Sequence, residues 1–353
     1  MLRGRGAAYA IALALFTIAL HASALRGWWL YDDPQLILEA GRQSLSGLFF
    51  NPGEYVHLAA HTFVPLQLVS YKLDLLFGVH PAVFYAHQLL ALTAAVVLLF
   101  YVLRQHVDER LAALGAALFA ASWAATYAAR TLMIRHYVEG LVLALIALWF
   151  WPRRPVVSSL FYFLALLAKE VYAPLPLLFA LSSRRVKPLV APAIALAVYL
   201  VWRWRMTQLI GGYAALPQPR ELLALPGALW SHLVGPATSL VPSLIWAAAV
   251  LALVVMYLVH ERARGAVVLA AIAIVALAPI VPLAANFEWR YSFAAVACFI
   301  GGLTLAASAS GRGGRVVLAL LVIVATLMSL PQRRGYEEQT RVIEAEGRYI
   351  ATQ

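Results

Sequence analysis

The chain has 353 residues, of which 63% are hydrophobic and 12% charged, with a mean hydropathy of +0.81. A soluble domain of average make-up carries about 25% charged residues, so a soluble fold is excluded. The net charge of +11 is scattered among apolar stretches, with no basic cluster interleaved with aromatics to mark a nucleic-acid surface, and the single cysteine, Cys298, allows neither an intrachain disulfide nor a thiolate metal site.

Crossing about 30 Å of hydrocarbon as a helix takes roughly 20 apolar residues. On that measure the sequence predicts an all-α, polytopic membrane protein of about eleven spans: 7–25, 82–103, 111–128, 137–151, 156–168, 171–183, 188–204, 243–259, 266–283, 291–308 and 315–330. The fifth and sixth are short and joined by Lys169-Glu170. Arg3 and Arg5, an apolar run and then Ala22-Ser23-Ala24 also fit a cleavable signal peptide, but an uncleaved first span is the preferred reading. Every second connection is basic, and these six segments hold 13 cations against three acids. Cationic loops are retained in the cytoplasm, so the N-terminus is expected inside and residues 331–353 outside. Arg outnumbers Lys 24 to 3 and Ala is abundant, the composition of a GC-rich bacterial genome, which directs the expectation to a bacterial inner membrane.

The basic connections are short, so the non-membrane mass is expected outside, in 26–81, 205–242 and the tail 331–353. Prolines recur in both long segments, which suggests short interfacial helices within one integral-membrane domain over 1–353. The tail suits one short amphipathic helix.

The densest chemical signal is Trp28-Trp29-Leu30-Tyr31-Asp32-Asp33-Pro34. Its aromatics suit an interfacial belt. Asp33 before Pro34 suits a helix start, which leaves Asp32 unexplained. Two adjacent carboxylates repel and are costly to desolvate, so one of them is a candidate general base. Arg130, Arg135, His136, Glu139, Lys169, Glu170, Arg203, Arg205, Glu288 and Arg290 are expected at the same face. Paired snorkelling charges explain each singly, whereas several spans contributing opposite charges at one depth suggest a polar cavity, whose cations suit a phosphate leaving group. His57 and His61 are four apart and could share a helical face toward substrate; no HExxH pattern accompanies them, and no metal is assigned. The segment Pro65 to Gly78, with Lys72 and Asp74, reads as an interfacial helix packed on the spans.

WWLYDDPQLILEA after the first span, PLQLVSYKLDLLFGVHP before the second, LLAKEVYAPLPLLF at 166–179 and EWRYSF at 288–293 together resemble the GT-C glycosyltransferase superfamily, particularly bacterial relatives of protein O-mannosyltransferases without a C-terminal soluble domain. That resemblance implies a GT-C-like fold with a catalytic first outer loop, and transfer of a hexose or pentose from a polyprenyl-phosphate donor to a protein, glycan or glycolipid hydroxyl. It maps the catalytic acid onto Asp32-Asp33, brings Lys169, Glu170 and Arg290 to the donor pocket, and offers Glu139 as a second acid. No nucleotide-sugar loop is visible, as a lipid-linked donor requires. The rival classes are a transporter or lipid flippase, for which inverted repeats and midplane charges are expected and not evident, and a noncatalytic scaffold.

Overall fold

Long apolar runs interrupted by Pro, Gly and capping polar residues form helices because a backbone in hydrocarbon must satisfy its own hydrogen bonds. The computed structural model describes residues 2–55, 63–182, 187–208, 218–234 and 240–351, and all regular structure among them is helical. The elements are α1 (Leu2–His21), α2 (Asp33–Arg42), α3 (Leu45–Phe50), α4 (Pro65–Leu75), α5 (Pro81–Leu103), α6 (Glu109–Ala121), α7 (Trp123–Arg130), α8 (Arg135–Phe150) and α9 (Pro155–Ala168). They continue with α10 (Pro176–Ser182), α11 (Val190–Thr207), α12 (Pro219–Val234), α13 (Leu240–Leu277), α14 (Ser292–Ala309) and α15 (Gly311–Ala351).

Local chemistry sets the boundaries. Pro34, Pro65, Pro81 and Pro155 stand in the first turns of α2, α4, α5 and α9, where the missing N–H costs nothing. Asp108 caps α6 by accepting from the Arg110 and Leu111 amides. Ser122 ends α6 and caps α7 by accepting from the Ala125 amide at 3.2 Å, and the two helices bend by 52° there.

The protein is a multi-pass membrane protein with fewer crossings than the eleven expected. Among the described residues six helices are long and apolar enough to span: Gly6–Arg26, Pro81–Leu103, Leu132–Phe150, Lys187–Thr207, Ser292–Ala309 and Gly311–Glu346; the bent pair α6 and α7 raises the number to seven. The reason is length. The 14 residues of α9 rise about 21 Å and the 12 residues of Glu170–Leu181 about 18 Å, both short of the hydrocarbon core. The expected spans 243–259 and 266–283 fall on one element, α13, broken at Arg262 (φ 52°, ψ −131°), and neither is among the six. The tail is no separate helix, because α15 runs on through Pro331. Its spanning stretch of 36 residues rises about 54 Å, about 24 Å more than the hydrocarbon core.

At the centre α8 packs against α5 and α9, while α6 packs against α1, α5, α14 and α15. Small residues allow this close approach. A Cβ on Gly115 of α6 would lie 2.2 Å from Thr304 Oγ1 of α14, and one on Gly140 of α8 would lie 2.3 Å from the Tyr172 ring. Aliphatic side chains such as Leu15, Val201 and Ile323 face outward, as a lipid-exposed surface requires. The helices α2, α3 and α4 lie beside the end of the bundle that carries Asp32; Arg104, Arg153 and Arg264 mark the opposite end. Of the segment 205–242, residues 209–217 and 235–239 lie outside the described residues, and α12 occupies much of the remainder.

Candidate functional site: an acidic and cationic cleft beside a closed ionic network

Asp32 and Asp33 are separated by one turn. Tyr31 adopts a left-handed conformation (φ 52°), which costs a non-glycine residue about 1–3 kcal/mol and is stable only where the surroundings fix it. Here they do: the Asp33 amide donates to the Leu30 carbonyl at 3.0 Å, and the Leu30 amide donates to Asp33 Oδ2 at 2.8 Å. Leu30 and Asp33 are buried and Tyr31 and Asp32 exposed. Burial pushes the Asp33 carboxyl up to about 7, against the pull of the Leu30 and Met133 amides and of Arg135. Asp33 therefore braces the turn from inside.

Asp32 faces a cleft of about 610 Å³ lined by Tyr31, Trp123, Tyr127, Glu288, Arg290 and Tyr336, among others. Arg290 donates to Glu288 Oε1 at 2.8 Å and to the Tyr291 hydroxyl at 3.3 Å. Burial works to lower the Arg290 pKa, but Tyr291 and Glu288 outweigh it and hold it above its ordinary value, so the guanidinium stays charged. Tyr336 of α15 stacks on Trp123 of α7 with centroids 5.7 Å apart. The cleft thus offers a proton-accepting carboxylate, a fixed cation and aromatic faces at one end of the bundle.

Arg135 and Glu139 go elsewhere. The fully buried Arg135 pairs with Asp74, donates to Ser70 Oγ at 3.1 Å and to the Phe84 carbonyl at 2.6 Å, and lies 4.5 Å above the Tyr71 ring. Asp74 also bonds His87 Nδ1 at 2.7 Å, His87 Nε2 lies 3.8 Å from Glu139, and Ser70 donates to Glu139. This network joins α4, α5 and α8, while Gln67 and Tyr71 donate to the carbonyls of Met133 and Leu132. Asp74 and His87 were not singled out as site residues. The available signal was Ser70 and Asp74 four apart on one face of α4, with His87 across a short turn.

Lys169 and Glu170 form a third group. Lys169 Nζ lies 3.1 Å and Arg203 Nη1 3.2 Å from the two oxygens of Glu170, and Arg203 also donates to the Tyr199 hydroxyl at 3.4 Å. Burial favours a neutral Glu170, yet Lys169 and Arg203 together hold its carboxyl at about 2. Burial lowers the Lys169 pKa, with Glu170 opposing. His57 and His61 lie outside the described residues; among the described residues no group of three or more His, Cys, Asp or Glu is placed to hold a metal.

No family model matches the chain, and no curated protein matches it. The resemblance to the GT-C superfamily is therefore not upheld, and the six or seven spans among the described residues are too few for that larger bundle. The stretches that carried it have local causes. Trp-Trp followed by Asp-Asp-Pro is what an interfacial aromatic belt and a proline-started helix each require, and Lys-Glu between α9 and α10 is satisfied by Arg203.

Proposed function

We propose that the chain is a membrane glycosyltransferase that moves a sugar from a polyprenyl-phosphate donor to a hydroxyl acceptor, with the Asp32 end on the outer face of a bacterial inner membrane and the N-terminus in the cytoplasm. The observation that carries this reading is the shared cleft of Asp32 and Arg290. Asp32 takes the proton of the acceptor hydroxyl as its oxygen bonds to the anomeric carbon. The bond from that carbon to the phosphate oxygen breaks, its electron pair leaves with the phosphate, and Arg290 stabilises the charge that develops there. Attack opposite the leaving group inverts the anomeric centre. Tyr336 and Trp123 offer ring faces for the sugar or the first isoprene units. The orientation is supported by the cationic connections at the opposite end, among them Arg104, Arg153 and Arg154, Arg262 and Arg264, and Arg312 and Arg315.

The test is incubation of purified protein with polyprenyl-phosphate sugars and hydroxyl acceptors, followed by mass spectrometry. Transfer or hydrolysis that depends on Asp32 supports the reading. An intact donor moved across the bilayer identifies a flippase instead.

A further inference from the structure

A second cavity, at the opposite end from Asp32, is unused by the reaction above. It encloses about 1420 Å³ between α5, α8, α10, α13 and α14. Its walls are mostly apolar, with Leu145, Leu175, Ile272 and Ala297 beside Tyr172 and Tyr257, whereas its mouth carries Arg104, Arg153, Arg264, His106 and one acid, Glu261. Its α14 wall runs from Ala294 to Ser308, a rise of about 21 Å against about 15 Å for the hydrocarbon of one leaflet. Trp149 and Leu181 on its lining are 37% and 39% exposed.

Two of the three arginines at the mouth, Arg153 and Arg264, are largely exposed. Arg104 bonds Glu109 at 3.0 Å, but Arg264 lies 3.9 Å from Glu261 with 86% of its side chain exposed, and the Arg153 side chain is exposed. A cleft of this depth, apolar inside and cationic where the hydrocarbon ends, has the polarity of a phospholipid reversed in sign at the headgroup. We propose that this groove is a binding site for one anionic phospholipid of the leaflet at that end, its phosphate between Arg153 and Arg264 and one acyl chain along Gly301 and Ala297. The arginines bind the phosphate oxygens, and the apolar walls replace neighbouring lipid tails. Gly301 leaves the path open: a Cβ there meets only Leu103 Cδ2, at 3.9 Å.

The full chain is reconstituted in nanodiscs of equimolar phosphatidylcholine and phosphatidylglycerol, released from them, and examined by native mass spectrometry for retained lipid. One phosphatidylglycerol is expected, enriched about twenty-five-fold over phosphatidylcholine if each arginine contributes about fivefold. In the variant Arg153→Gln with Arg264→Gln the enrichment should fall to near unity. In Gly301→Leu, which fills the groove and leaves the mouth intact, retention of either lipid should fall. Thermal midpoints in pure phosphatidylcholine serve to show that both variants are folded. Equal retention of the two lipids by the parent, no retained lipid, displacement of phosphatidylglycerol by polyprenyl phosphate, or enrichment that survives the double substitution would each overturn the proposal. None of these outcomes depends on glycosyl transfer.

Discussion

The Asp32 cleft and the Arg135 network lie at the same end of the bundle and use the same residue types, yet they handle charge in opposite ways. In the network, the buried Arg135 is answered by Asp74, Ser70 and a backbone carbonyl, with Glu139 and His87 linked in. Its charges answer one another, leaving Arg135 Nε as the buried group without a partner among the described residues, so removing one of them should cost stability. In the cleft, Asp32 makes no capping bond to its own helix and faces open volume, while Arg290 is held beside it by Glu288 and Tyr291. Its charges are positioned but not used up. Removing one partner of a buried ion pair strands the other and costs stability; an exposed carboxylate presented by a left-handed tyrosine turn is the better candidate for chemistry.

The contrast is broken or sharpened by four substitutions. Asp32→Asn should lower the transfer rate by about 10² to 10⁴, the usual contribution of a general base, with an unchanged thermal midpoint; full activity would remove Asp32 from the chemistry. Arg135→Met strands Asp74 in the interior and should cost about 3–5 kcal/mol of stability, read as a lower midpoint or poor insertion. If it lowered activity alone, the network would not be structural. Arg290→Gln should reduce kcat/KM for the lipid donor by about 10²- to 10³-fold, since one charge-stabilising donor is lost, and leave the midpoint within a few degrees.

Asp33→Asn has the smallest expected effect on activity, and its signature lies in the pH dependence of stability. The Asp33 pKa is raised from 3.8 to about 7 in the folded protein, so the folded state holds the proton more tightly than the unfolded one. The stability this provides is complete below about pH 4 and is lost as pH rises to about 7. Asparagine keeps an oxygen for the Leu30 amide and cannot ionise. The variant's midpoint should therefore be flatter than the parent's across that window, and higher than the parent's above pH 7. A parallel pH profile would show that Asp33 is not the buried group that titrates.

The residues differ in how far their roles could be read from order alone. Pro34 after Asp33 announced a helix start, and the helix is there because proline tolerates only the first turn of one. That Asp33 turns inward and Asp32 outward was not legible, since the choice rests on Tyr31 adopting φ 52° against a buried Leu30. Tyr336 was invisible as a site residue because it arrives from a helix some 300 positions later in the chain. Arg135, Glu139, Lys169 and Glu170 read as one pocket because all sit near helix ends at one face. In three dimensions Asp74 claims Arg135 and Arg203 claims Glu170, while Lys169, over the Tyr137 ring, still lies within electrostatic reach of Arg290.

Hydropathy by itself determined that the chain is helical and crosses a membrane several times, because backbone polar groups have no other way to exist in hydrocarbon. It did not determine the number of crossings. An apolar run looks the same whether it spans or folds back against neighbours: the 14 residues of α9 are too short to cross alone, and α15 runs on beyond its apolar stretch. Tertiary structure also decided which charges remain available, because a charge is cancelled by neighbours in space, and most of those neighbours are far away in sequence.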